Sequence, residues 1–251
     1  MPETRPILQT VELTKSFGMV KAADRITVQI AQGEFVGIVG ANGSGKTTFL
    51  NLITGYLTPD HGRILLLGQD STGLPPRLVT RLGLARSFQI PQLYTALSVL
   101  ENVLLALAAQ ARKSTGFWKP LYRRQWLEEG MDILARFGLT SYASRSVAEL
   151  PEGGRKLLDV ALSFALKPRV LLMDEPTSGV SIEDKFQVMD TLVGVLQQSR
   201  MTTIFVEHDM DVVQRYSQRV LVFDNGEVVA DGTPDTVLAQ PQVRSAVLGR
   251  E

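Results

Sequence analysis

The chain has 251 residues, no cysteine and only two histidines, His61 and His208. That excludes a disulfide scaffold, a thiolate nucleophile, Cys-ligated zinc and a multi-histidine metal site. Lys plus Arg and Asp plus Glu each number 26, and 44% of residues are hydrophobic, so the composition is globular with no net charge to attract nucleic acid.

The first residues, Met1 to Leu8, lack the apolar run of an export signal, and the most apolar stretch, Val103 to Ala109, is far shorter than the roughly 18 residues of a span. The expected location is cytoplasmic, with any membrane contact made through a partner. Early strand signals lie at Val11 to Thr14, Ile26 to Ile30 and Glu34 to Val39. The last runs into a glycine-rich turn and a helix from about Lys46. Ile64 to Leu67 reads as a further strand, entered through the turn Pro59 to Gly62. From Ser87 to about Leu166 helical periodicity dominates. Ser98 and Glu101 form a capping box for a helix to about Gln110, with further helices at Trp126 to Phe137 and Arg155 to Leu166. Gly116 to Trp126 mixes aromatic and basic residues and reads as a solvated connection with a few buried anchors. Strand signals return at Val170 to Met173, Thr203 to Val206 and Val220 to Phe223, and Asp224-Asn-Gly226 is a hairpin turn into Glu227 to Ala230. Alternating strands and helices, interrupted by a helical block, make the fold class α/β.

Gly40-Ala41-Asn42-Gly43-Ser44-Gly45-Lys46-Thr47 matches the P-loop pattern in full, and Thr48 continues it into the helix. Glycines let backbone N–H groups curl around phosphate oxygens, and the helix start favours an anion. Lys46 should reach the β and γ phosphates of a nucleotide, and the Thr47 hydroxyl should ligate Mg²⁺. Val170 to Met173 is an apolar strand that ends in Asp174 and Glu175. Burial accounts for the apolar run but not for two adjacent carboxylates at the carboxyl end, where α/β sheets place their ligands. Asp174 fits the metal partner, and Glu175 the general base that positions water on the γ phosphate.

With these motifs in place the chain resembles the ATP-binding subunits of ABC transporters, from about Leu8 to Val237. Phe17 stands where that family has an aromatic that stacks on adenine. Gln89, in Ser-Phe-Gln-Ile, stands at the start of its Q-loop, and Asp174-Glu175-Pro-Thr-Ser extends its Walker B motif. His208, in Val-Glu-His-Asp-Met, ends a strand as the family's switch histidine does. The resemblance implies a P-loop NTPase core over 5–87 and 167–251, with an antiparallel β subdomain and an inserted α-helical subdomain over 88–166. It implies ATP and Mg²⁺ as cofactors, with Thr47, Gln89 and Asp174 around the metal and Glu175, His208 and Lys46 in catalysis. Phe17 taken alone reads as a core residue; its family position makes it an adenine platform. Asp209 and Asp211 read as helix-start charges rather than ligands. The stretches Ala85 to Leu93, Leu97 to Val103, Val206 to Met210 and Ala230 to Pro234 resemble importers of branched-chain amino acids and related amides. The implied partners are transmembrane permease subunits, a second ATPase subunit and, indirectly, a solute-binding protein. The implied place is the inner face of the cell membrane, without nucleic acid. The alternative is a non-transport ABC ATPase acting on nucleic acid or ribosomes. A kinase or GTPase would need an acceptor-site or guanine-reading motif, and neither is present.

Two departures stand out. Where the family has Leu-Ser-Gly-Gly-Gln, the ungapped alignment gives Leu150-Pro151-Glu152-Gly153-Gly154, with Leu150 and Gly153 alone matching; a one-residue slide to Glu152-Gly-Gly-Arg155 recovers two glycines at the cost of the helix register, and neither supplies Ser or Gln. Pro151 offers neither hydroxyl nor N–H to a γ phosphate and Glu152 adds negative charge, which favours a heterodimer over a homodimer. Ser178-Gly-Val-Ser181 replaces the frequent Ser-Ala-Leu-Asp; Ser181 with Asp184 is expected to cap the next helix.

Overall fold

In the computed structural model, which describes residues 6–87, 93–111, 122–241 and 243, the chain begins with two long antiparallel strands, β1 (Leu8–Phe17) and β2 (Val20–Ile30). Next come β3 (Phe35–Val39), the glycine loop and α1 (Lys46–Ile53). β4 (His61–Leu66) and the two-residue β5 (Gln69–Asp70) complete a four-stranded antiparallel sheet in the order β2-β1-β4-β5. A short helix, α2 (Pro76–Leu82), opens on a proline and stops at Gly83, whose φ of 117° only glycine adopts freely; it leads into β6 (Leu84–Ser87).

Three helices follow: α3 (Val99–Ala111), α4 (Arg124–Arg136) and α5 (Glu152–Ala165). The capping box expected at α3 is formed, with the Ser98 N–H donating to Glu101 Oε2 at 2.7 Å and the Glu101 N–H to Ser98 Oγ at 3.2 Å. α5 starts three residues earlier than the expected Arg155. Pro151 supplies the extended residue before the first turn, and Gly153 and Gly154 lie inside the helix because neighbours crowd them. A Cβ on Gly153 would sit 3.0 Å from Val188 Cγ2. Of the stretch Gly116 to Trp126, residues up to 121 lie outside the described residues.

The chain then returns to strands: β7 (Val170–Asp174), α6 (Lys185–Gln198), β8 (Thr202–Val206), α7 (Met210–Tyr216), β9 (Arg219–Asp224), β10 (Glu227–Gly232) and α8 (Pro234–Leu238). Asn225 and Gly226, at φ 48° and 83°, make the expected tight hairpin between β9 and β10. Ser181 caps the turn that leads into α6, its Oγ accepting from the Asp184 N–H at 3.2 Å and donating to Asp184 Oδ2 at 2.7 Å. Asp184 is already in helical conformation at the start of α6 and its side chain caps nothing.

The second sheet has the order β10-β9-β3-β8-β7-β6, parallel except for β10. Alternate residues of its strands feed two separate cores. Phe35, Leu171, Met173 and Phe205 face the helical side. Val36, Ile38, Leu172 and Ile204 face α1 and the antiparallel sheet. Burial on both faces explains why β7 reads as an unbroken apolar run. Each such side chain contributes roughly 1.5–3 kcal/mol when fully buried, so this doubly covered sheet is the rigid element on which the loops at its edge are held.

Candidate functional site

β3, β8 and β7 are neighbours in the parallel sheet, and each ends at the same edge. The glycine loop follows β3, Asp174 and Glu175 close β7, and His208 follows β8. Topology therefore brings together residues as far apart in sequence as Lys46 and His208. One cleft at the carboxyl edge is lined by residues 42–48 with Ala22, Asp174, Glu175, Val206 and His208.

The loop is shaped by close backbone approach. A Cβ on Gly40 would lie 2.3 Å from Phe223 O, and one on Gly45 would lie 2.5 Å from Ala22 O. Both glycines have positive φ, at 151° and 105°. Lys46 is buried, and its ammonium donates to Gly40 O at 2.7 Å and Ala41 O at 2.9 Å. Burial holds its pKa below the ordinary lysine value, against the opposing charges of Glu175 and Asp174. Ser44 Oγ is buried and has no hydrogen-bond partner among the described residues, while Thr47 is exposed at the start of α1. A desolvated cation, an unpartnered hydroxyl and glycines that admit nothing larger fit an incoming polyphosphate.

On the facing side, Glu175 sits at φ 50°, a left-handed conformation that is costly for a non-glycine residue. Several contacts hold it there, among them a bond from the Ser178 N–H to its carbonyl at 3.1 Å. Its N–H donates to Val206 O at 3.0 Å, its carbonyl accepts from Lys156 Nζ at 3.3 Å, and its Oε1 lies 3.0 Å from His208 Nε2. An ionised Glu175 can only accept, so the ring nitrogen is the donor. Among the described residues no group of three His, Cys, Asp or Glu side chains converges as a metal site. Thr47 and Asp174 alone are too few for Mg²⁺, whose other ligands would be phosphate oxygens and water, the usual arrangement for that ion.

Sequence reasoning did not single out four participants. Arg86, on β6, donates to Asp174 Oδ2 and, at 2.7 Å, to Asn51 Oδ1 on α1. Lys156 reaches Glu175 from α5. Glu207 and Thr177 hydrogen-bond beneath the cleft. A charge within or just after an apolar run was the available signal at Arg86 and Glu207; Lys156 and Thr177 carried none.

Phe17 is half exposed, with Lys15 Nζ 5.9 Å from its ring centre; it is not in the core, and it does not line the cleft. Gly153 lies against Val188, away from the cleft. Glu152 pairs with Arg155 at 3.7 Å. Asp209 caps α7, accepting from the N–H groups of Asp211 and Val212, in keeping with a helix-start role. Gln89 lies outside the described residues.

The sequence profile of the ABC transporter family matches residues 23–178. The high-affinity branched-chain amino acid transport ATP-binding protein LivG of Escherichia coli K12 is 34% identical over 253 residues, covering 98% of this chain and 99% of that protein. The corresponding protein BraF of Pseudomonas aeruginosa is 32% identical over 252 residues, with 98% and 99% covered. Among solved structures, the ADP conformation of MJ1267, an ATP-binding cassette of an ABC transporter, matches with a TM-score of 0.87 at 30% identity, covering 98% of this chain and 100% of that one. The chain belongs to the ABC transporter family, as one of its ATP-binding, ATP-hydrolysing subunits.

Proposed function

We propose that this subunit powers import of branched-chain amino acids or related small amides through separate membrane permease subunits, at the inner face of the cell membrane. The full-length similarity to LivG and BraF supports the solute class. Among the described residues no helix is long and apolar enough to cross a membrane, so a path for solute would have to come from partners. A solute-binding protein would deliver the cargo. Residues 5–87 and 167–251 are assigned to the nucleotide core and 88–166 to the helical part.

The observation that carries the site assignment is the convergence of Lys46, Asp174, Glu175 and His208 on one cleft. Residues 40–48 wrap the phosphates, with Lys46 on the β and γ groups and Phe17 under adenine. Thr47, Asp174 and Gln89 would hold Mg²⁺, which would neutralise phosphate charge. Glu175 accepts a proton from the attacking water. His208, already 3.0 Å from that carboxylate, donates toward the γ phosphate.

Gly153, at the start of α5, faces away from its own cleft, which supports a role in the site of a second ATPase subunit. Pro151 has no N–H and Glu152 is negative, so the site built on this chain's signature would turn over poorly, and a heterodimer is favoured. At about 5 Å and an effective dielectric near 20, the Glu152 carboxylate would cost about 3 kcal/mol against a phosphate charge. Its pairing with Arg155 lowers that figure.

Glu175→Gln tests the catalytic assignment. ATP binding should persist while hydrolysis falls about 10²–10⁴-fold, as loss of a general base does. Wild-type turnover in this variant would remove Glu175 from the role.

A further inference from the structure

Glu207 connects Val206, the last residue of β8, to His208, and it is 3% exposed. Its Oε1 accepts from the Thr177 N–H at 2.9 Å and the Thr177 hydroxyl at 2.7 Å, and its Oε2 accepts from the His208 N–H at 3.2 Å. Thr177 stands two residues beyond Glu175. One buried carboxylate therefore joins the turn that carries Glu175 to the turn that carries His208. Burial raises its pKa, and the charge of Glu175 acts in the same direction; the bonds from Thr177 and His208 oppose them.

The donor pattern suits a carboxylate and not its amide. Both oxygens of Glu207 accept, whereas a glutamine would turn an NH₂ group toward either Thr177 or His208, donor against donor. An apolar side chain would leave the Thr177 N–H without its acceptor. We propose that Glu207 is a positioning residue, which bridges the segments after β7 and β8 and thereby sets the contact between His208 and Glu175. The proposal rests on the assignment of that pair to catalysis. Glu207 does not line the cleft and acts through His208 and the Thr177 turn.

The test uses the full chain labelled with ¹⁵N-histidine. It has two histidines, so a His61→Gln control assigns the ring signals of His208. In Glu207→Gln the His208 ring nitrogens should shift. With the partner subunits present, kcat should fall about tenfold, the size of effect that displacing a reacting group produces, with ATP affinity within about twofold of wild type. Thr177→Val removes one donor, keeps the backbone N–H and should move the same signals less. It decides the matter if Glu207→Gln does not fold. Unmoved His208 signals in a folded variant overturn the proposal, as do moved signals with unchanged kcat. Neither result touches the role of Glu175, which its own substitution tests.

Discussion

Replacing Arg86 with alanine should destabilise the nucleotide-free protein strongly. The Arg86 and Asp174 side chains are 8% and 12% exposed, so their ion pair is largely out of water. Removing Arg86 takes the ion-pair partner from a largely buried carboxylate and leaves it only the more distant charge of Lys46, a change that costs about 3–5 kcal/mol. For a chain of this size that corresponds to a fall in melting temperature of roughly 6–20 °C. The loss should be coupled to Asp174. In Arg86→Ala/Asp174→Asn the stranded charge is gone, and the double variant should regain about 2 kcal/mol relative to the sum of the single changes. Thermal and urea unfolding of the four proteins without nucleotide measures this directly. An Arg86→Ala melting point within about 2 °C of wild type, a shift within reach of an ordinary surface change, would refute the reasoning. Additive single effects in the double variant would refute it as well.

Lys46→Ala should weaken ATP binding about 10–100-fold, since hydrogen bonds from a charged donor are worth about 1.5–3 kcal/mol; titration with a fluorescent ATP analogue reads it, and unchanged affinity would contradict the P-loop assignment. Burial sets the Glu207 carboxyl above its ordinary 4.5, so holding it there as the carboxylate that its three donors require costs stability. Its contribution to stability is complete below about 4.5 and is lost as pH rises through the folded value. Relative to Glu207→Gln, the wild-type protein should lose stability as pH is raised from 4.5, and urea unfolding of both proteins should show that slope; a flat difference would count against it. Pro151→Ser/Glu152→Gly should raise ATPase activity severalfold in the isolated chain. A parent chain fully active alone, with no gain from the double substitution, would rule out the heterodimer preference.

The local parts of the site were legible in sequence because their signals are local. The glycine loop between β3 and α1, the two acids at the end of β7 and the Ser98 capping box each need only neighbouring residues. The sheet order that sets β3 beside β8 and β7 does not arise from any short pattern. β6 was missed because Leu-Ala-Arg-Ser is four residues long and lacks the alternation of a strand. With it went Arg86, whose partner Asp174 lies 88 residues further on. Glu207 looked like an ordinary polar residue after a strand, and only the fold shows that Thr177, 30 residues away, donates to it. The early start of α5 was hidden by two glycines, which local propensity reads as a break and tertiary crowding makes necessary.

The bond from Lys156 to the Glu175 carbonyl gives α5 a mechanical meaning. The helix begins at Pro151 and Glu152, and Lys156 stands on its second turn, buried beneath the acid of the same chain. A helix of 14 residues moves as a rod. A push on its first turn by a neighbouring subunit would be felt one turn later at a residue already held in a left-handed conformation. Glu175 has little freedom to absorb such a displacement, because its N–H and side chain are tied to β8 and His208. In the proposed dimer, the same short rod whose tip would meet one nucleotide would act as a lever under the acid that would serve the other, so the two halves would feel each other's occupancy.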